Sequence, residues 1–156
     1  MIERHYVTPP SGLRMKYKAQ FDLGEFYKAM KLFIEDQGFL KDEQTLEKEY
    51  GERAIPGGKQ IEFAWAVQKK ENEYITYKVE IAARTLVIEP NNDIDMKFIA
   101  WVESGGEDFD KLGFFTRLYH IMIQKPRIPA HQTELYKKVY KFQNEAKKIL
   151  GVMDYK

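Results

Sequence analysis

Three consecutive runs between residues 61 and 102 alternate apolar with polar side chains, and this period of two constrains the fold more than any other feature of the chain. Ile61, Phe63, Trp65 and Val67 share a face in the first run, with the small Ala64 and Ala66 on the other. Ile75, Tyr77, Val79, Ile81, Ala83 and Val87 share one in the second, and Ile94, Met96, Phe98, Ala100 and Val102 in the third. Short polar segments, Glu71-Asn72-Glu73 and Pro90-Asn91-Asn92-Asp93, separate them. Successive side chains of a strand point to opposite faces, so alternating runs joined by short turns predict an antiparallel meander with one buried face.

The flanks supply the remaining elements. Residues 1–12 read as an extended N-terminal arm, because Pro9 and Pro10 favour extended backbone and Ser11-Gly12 is a hinge. Met15, Tyr17, Ala19 and Phe21 then alternate with Arg14, Lys16, Lys18 and Gln20, the pattern of a half-buried strand. Asp22 can cap a helix, Glu25 completes the capping box, and Phe21 and Phe26 stand at the hydrophobic-staple positions. Gly38 supplies the left-handed residue that ends this helix. Leu46 to Tyr50 reads as a short edge strand ahead of the Pro56-Gly57-Gly58 turn.

After Ser104, Phe109, Leu112, Phe115, Leu118, Tyr119 and Met122 recur at helical spacing, and Pro126 and Pro129 break or kink that helix. A final helix from about Gln132 carries Leu135, Val139, Phe142, Ala146 and Ile149 and ends at Gly151. The fold class expected is α+β: an N-terminal strand and helix, an antiparallel β-meander of about five strands in total, and C-terminal helices packed on the sheet. Residues 13–156 form one domain behind the arm.

A chain of 156 residues buries roughly two thirds of the surface its unfolded form exposes, enough for a core without covalent staples. There is no cysteine, which excludes disulfides, thiolate metal sites and cysteine nucleophiles. The first ten residues lack the apolar run of a signal peptide and no apolar stretch is long enough to span a membrane, so the expected place is the cytoplasm where the protein is made. The net charge is +1, but residues 125–156 hold eight Lys/Arg against three Asp/Glu. Lysines near a helix end complement its dipole, and a basic helix also suits an acidic partner or nucleic acid.

Chemical motifs are sparse. His5, His120 and His131 have none of the paired spacing of a zinc helix. Asp93, Asp95 and Lys97 match in spacing the acidic-x-Lys arrangement with which metal-dependent nucleases hold a divalent ion, although the upstream acid, Glu89, belongs to a turn. Gly57-Gly58-Lys59 is followed by a strand, where a phosphate loop needs a helix. Ser11 and Ser104 lie beside glycine in loops, with no nucleophile elbow. No catalytic residue, metal ligand or cofactor is assigned, and the chain is expected not to be an enzyme.

Several segments carry a resemblance: Ser11-Gly-Leu-Arg-Met-Lys-Tyr17, Phe21-Asp22 with its aromatic helix, Pro56-Gly-Gly-Lys-Gln-Ile-Glu-Phe63, Arg127-Ile128 and Leu135-Tyr136-x-x-Val139-Tyr140. In these the chain resembles a group of short α+β proteins from archaeal, viral and metagenomic genomes that have no assigned activity. The resemblance implies a shared fold and favours a virion or assembly component. The element order also resembles the helix-grip architecture of lipid- and polyketide-binding domains, with fewer strands and with two prolines in the gripping helix.

Two functional expectations follow. The first is a structural or interaction protein, for example a virion or assembly component, whose partners are other protein subunits of the same or another chain. Its interface candidates are Tyr6, Pro9 and Pro10 in the arm, Ile99 and Trp101 on the polar side of their strand, and Lys137, Lys138 and Lys141 on the last helix. The alternative is a helix-grip binder of a small hydrophobic ligand, with Ile61, Phe63, Trp65, Phe98, Leu118, Tyr119 and Met122 lining its cavity.

Overall fold

In the computed structural model, which describes residues 2–41, 49–88 and 91–153, the three alternating runs are the long central strands of one antiparallel sheet. In chain order the strands are β1 (Glu3–Tyr6), β2 (Leu13–Ala19), β3 (Leu40–Lys41), β4 (Glu49–Ile55), β5 (Gly58–Lys70), β6 (Ile75–Ile88) and β7 (Asn91–Ser104). The helices are α1 (Leu23–Asp36), between β2 and β3, then α2 (Glu107–Asp110), α3 (Phe114–Gln124) and α4 (Ile128–Met153). One 3₁₀ turn, Lys125–Arg127, joins α3 to α4.

The protein is α+β. Its sheet has seven described strands in five positions, two more strands than the five or so expected from the sequence. β5, β6 and β7 form the meander, and each edge is closed by two short strands laid end to end. β1 pairs with Trp101–Ser104 of β7 and β2 with Asn92–Phe98 of the same strand. At the other edge β4 and β3 pair with successive parts of β5.

The arm therefore lies on the chain's own sheet. Between β1 and β2, the Val7 amide donates to the Ala100 carbonyl (3.0 Å) and the Ala100 amide donates to Thr8 Oγ1 (3.2 Å). Pro9–Gly12 then forms a turn closed by the Gly12 amide on the Pro9 carbonyl, 2.8 Å, rather than continuing extended. Gly12 has φ +81°, and a Cβ there would meet Lys97 Cγ at 2.6 Å and the Phe98 carbonyl oxygen at 3.0 Å. Only glycine lets the chain leave β7 and return to it at this point.

The capping signals of α1 are in place. Asp22 Oδ1 accepts from the Glu25 amide at 3.1 Å, Phe21 packs edge-on against Phe26, and Gly38 adopts φ +88° after the last turn. α1 and α4 lie on one face of the sheet and fill it. Phe26, Met30 and Ile34 of α1 join Leu135, Val139, Phe142, Ala146 and Leu150 of α4 over Phe63, Tyr77, Ile81, Met96 and Phe98. Phe142 packs edge-on with both Phe39 and Phe33, at 5.2 and 6.1 Å between centroids.

Several boundaries differ from the sequence expectation. Gly113 divides the helical pattern after Ser104 into α2 and α3. Pro126 sits in the 3₁₀ turn and Pro129 in the first turn of α4, where a missing amide proton costs nothing. The two prolines thus mark the start of a 26-residue helix instead of splitting it, and Gly151 lies inside it. Asn91, Asn92 and Asp93 are already strand, while Glu89 and Pro90 of that expected turn lie outside the described residues. Of the expected edge strand at Leu46–Tyr50, residues 46–48 lie outside them too, and Glu49 and Tyr50 open β4.

Candidate interaction surface

α3 has the sequence FFTRLYHIMIQ. At 100° per residue its apolar side chains occupy one broad arc: Phe114, Phe115, Leu118, Tyr119, Ile121, Met122 and Ile123. Thr116, Arg117, His120 and Gln124 occupy the opposite arc. A helix packed on its own domain turns the apolar stripe inward. α3 does the reverse.

His120 is its buried residue, only 9% exposed, and Arg117 and Gln124 are partly buried beside it. All seven apolar side chains face outward, led by Phe115 at 82%, Phe114 at 66% and Met122 at 65% exposure. The polar arc rests on the end of the β5–β6 hairpin. His120 packs edge-on against Phe109 of α2, which in turn stacks against Tyr74 at 4.8 Å, and His120 Nε2 lies 3.8 Å from Glu73 Oε2. His120 Nδ1 and Arg117 Nε are buried with no hydrogen-bond partner among the described residues. Each such group costs about 1–3 kcal/mol, so this arrangement does not arise from a preference of those two side chains for the interior.

The cause lies in the sheet. A 14-residue strand spans only about 45 Å, and the 26-residue α4 together with α1 already covers the apolar face. α3, held between Gly113 and the 3₁₀ turn, has no apolar surface left to cover.

The arc is large. With a fully exposed aromatic contributing roughly 150–250 Å², the seven side chains present on the order of 700 Å² of largely apolar surface. The largest such patch on a typical monomer is about 300–600 Å².

The interface candidates do not converge on one surface. Trp101 is 5% exposed, covered by the arm: the Tyr6 ring lies 5.6 Å away, the Arg4 guanidinium sits 4.7 Å above the indole, and its Nε1 donates to Glu103 Oε2 at 3.2 Å. The polar side of β7 is thus closed at that point by the chain itself. Ile99 is partly buried, Tyr6 is half exposed, and Pro9 and Pro10 stand exposed on their turn. Lys137 and Lys141 are exposed on α4 and Lys138 is partly buried, with Lys141 Nζ donating to Gln37 Oε1 at 3.4 Å.

The cavity candidates separate into two groups. Ile61, Phe63, Trp65 and Phe98 are buried on the helix-covered face. Leu118, Tyr119 and Met122 stand on the outward arc of α3 and line nothing, because α3 does not lie over the sheet. Between α1 and β5, the cavity bounded by Ile34, Phe39, Trp65 and Val67 holds about 40 Å³, far below the ~300–1,000 Å³ of a ligand pocket. Tyr27 stacks edge-on against both Trp65 and Phe63, filling the space a ligand would need.

Asp93, Asp95 and Lys97 lie on the open face of the sheet. There Asp95 faces Lys16 across the strands and pairs with Arg14 at 3.8 Å, while Glu62 pairs with Arg84 at 3.2 Å. The described residues hold no group of three His, Asp or Glu placed to bind a metal ion. A second polar group sits where α4 meets the sheet. Tyr77 Oη lies 2.7 Å from His131 Nδ1 and donates to Glu134 Oε2 at 3.1 Å. Burial, followed by the negative charges of Glu134 and Glu71, holds that hydroxyl above the usual tyrosine range.

No described helix is long and apolar enough to cross a membrane. The chain matches no family model and no curated protein.

The periodicity picked out four residues of the α3 arc, Phe115, Leu118, Tyr119 and Met122, in one stripe with Phe109 and Leu112. The clue to its direction was composition. The arc spans more than half the helix circumference, and the opposite side carries His120 and Arg117 rather than the lysines and glutamates of a solvated face.

Proposed function

We propose that the protein is a non-enzymatic interaction subunit, of the kind that builds a virion or another large assembly, and that the outward arc of α3 is its docking element. The observation that carries this reading is the inverted packing of α3, with Arg117, His120 and Gln124 inward and seven apolar side chains outward. An exposed patch of this size marks a surface that another molecule covers. Its aromatic and methionine content, Phe114, Phe115, Tyr119 and Met122, matches the enrichment of interface cores. The arm, which occupies β7, and Tyr77, which ties α4 to the sheet, then serve the stability of the subunit that presents α3.

Met122 is a built-in reporter for this reading. Its rate of oxidation by peroxide should be high in the dilute isolated chain. It should fall several-fold in a concentrated extract of the cells that make the protein. Equal rates in both settings would mean that nothing covers α3, and the reading would be wrong.

A further inference from the structure

We infer that the molecule covering α3 is a second copy of this chain, docked antiparallel through the same arc; this rests on the reading of α3 as the docking element. The pattern of the helix is the first argument. Six of its seven apolar residues fall in pairs, Phe114-Phe115, Leu118-Tyr119 and Met122-Ile123, repeating every four residues, while Ile121 stands outside the pairs. They form two ridges at i, i+4 spacing, Phe114–Leu118–Met122 and Phe115–Tyr119–Ile123. A two-fold axis between Leu118 and Tyr119 maps this set onto itself. Phe115 of one copy then lies beside Met122 of the other, and Phe114 beside Ile123. Self-complementarity is what a two-fold dimer requires of a surface.

Charge is the second argument. The arc itself carries no charged side chain, so nothing of like sign meets across the axis. Before the helix stand the exposed Glu107, Asp108 and Asp110 of α2, an approach that stays net acidic although Lys70 pairs with Asp108 and the exposed Lys111 follows, and after it stand the exposed Lys125 and Arg127. Antiparallel docking brings the acidic approach of each copy toward the basic exit of the other and opposes the two helix dipoles. The same acidic approach would abut the headgroups of an anionic membrane, which fits a lipid surface poorly.

Area is the third. The arc offers at most on the order of 700 Å² per copy, from the side-chain areas above, the same order as the ~800 Å² that each partner gives to a standard interface.

The absence of native cysteine makes the geometry directly testable. In the purified full chain, Tyr119→Cys lies next to the axis and should form a reducible disulfide dimer on mild oxidation. Phe115→Cys should not pair with itself, because antiparallel docking sets the two copies of that position about 10 Å apart along the axis at 1.5 Å per residue, beyond disulfide reach. Mixed with Met122→Cys it should give a heterodimer. Self-pairing of Phe115→Cys would overturn the antiparallel arrangement. A wild-type chain that sediments as a monomer at every concentration, with no Tyr119→Cys dimer, would overturn the second copy as occupant. Protection of Met122 in extract would then assign the arc to another protein, and co-sedimentation of that monomer with phosphatidylcholine–phosphatidylserine vesicles would assign it to lipid. With no protection in extract and no vesicle binding, the docking reading itself would fall.

Discussion

The imidazole of His120 packs edge-on against the ring of Phe109, centroids 6.3 Å apart, on the side of α3 opposite its exposed apolar arc. His120 is held there although its Nδ1 has no hydrogen-bond partner. Replacing it with an apolar residue of similar reach removes the buried polar atom and keeps the packing. His120→Leu is therefore expected to stabilise the fold by about 1 kcal/mol, read as a higher denaturation midpoint at pH 7.5. A lower midpoint would mean that the ring makes a polar contact in solution.

Tyr77 joins the sheet to the first turns of α4 through His131 and Glu134. Tyr77→Phe should cost about 1 kcal/mol at neutral pH. Its pH dependence is more specific. In the folded protein the hydroxyl titrates above its unfolded value of about 10. Above that pH the unfolded chain releases this proton while the folded chain retains it. Stability therefore falls as pH rises from 10. Denaturation at pH 8 and pH 11 should show a smaller loss for Tyr77→Phe than for the wild type; equal losses would contradict the burial of this group.

Gly12 stands at the turn that lets β1 and β2 share one edge of β7. Gly12→Ala would place a Cβ against Lys97 and the Phe98 carbonyl at a positive φ. A loss of about 1–2 kcal/mol is expected, together with faster hydrogen exchange along β2.

The arm shields Trp101 within its own chain. Removing residues 1–6 takes away Arg4 and Tyr6 and bares that indole, while Trp65 stays buried under Tyr27. The truncated chain should gain one acrylamide-quenchable tryptophan out of two, with a red-shifted emission and a lower unfolding midpoint. Unchanged quenching would contradict the covered position of Trp101.

How far the sequence carried the reading depended on whether the signal was local. α1 was legible because Asp22, Glu25, Phe21 and Gly38 mark its ends through contacts within a few residues. The long strands were legible because the alternation over residues 61–67, 75–83 and 94–102 matches the period of a strand and cannot match that of a helix, although each strand extends beyond its alternating stretch. β1 was missed as a strand: Glu3–Tyr6 has no apolar alternation, and its place is set by the free edge of β7, about a hundred residues away. The prolines end α3 as expected but do not split the final helix, since their effect depends on whether they fall in a helix's first turn or its interior. For α3, part of the apolar arc was visible, but its direction was not. Periodicity shows that a face exists. What that face meets was decided here by α4 and α1, which take up the apolar side of the sheet first.

The central claim is that the outward arc of α3 associates with the same arc of a second copy and does not belong to the core. Sedimentation velocity of the wild-type chain beside the Phe115→Lys, Met122→Lys double variant, each across a hundredfold range of concentration, tests it most directly. The account predicts that the wild type shifts to a heavier species as concentration rises, while the variant stays a folded 18.5 kDa monomer throughout. Two chains that sediment alike, or a variant that sediments as an expanded, unfolded chain, would contradict it.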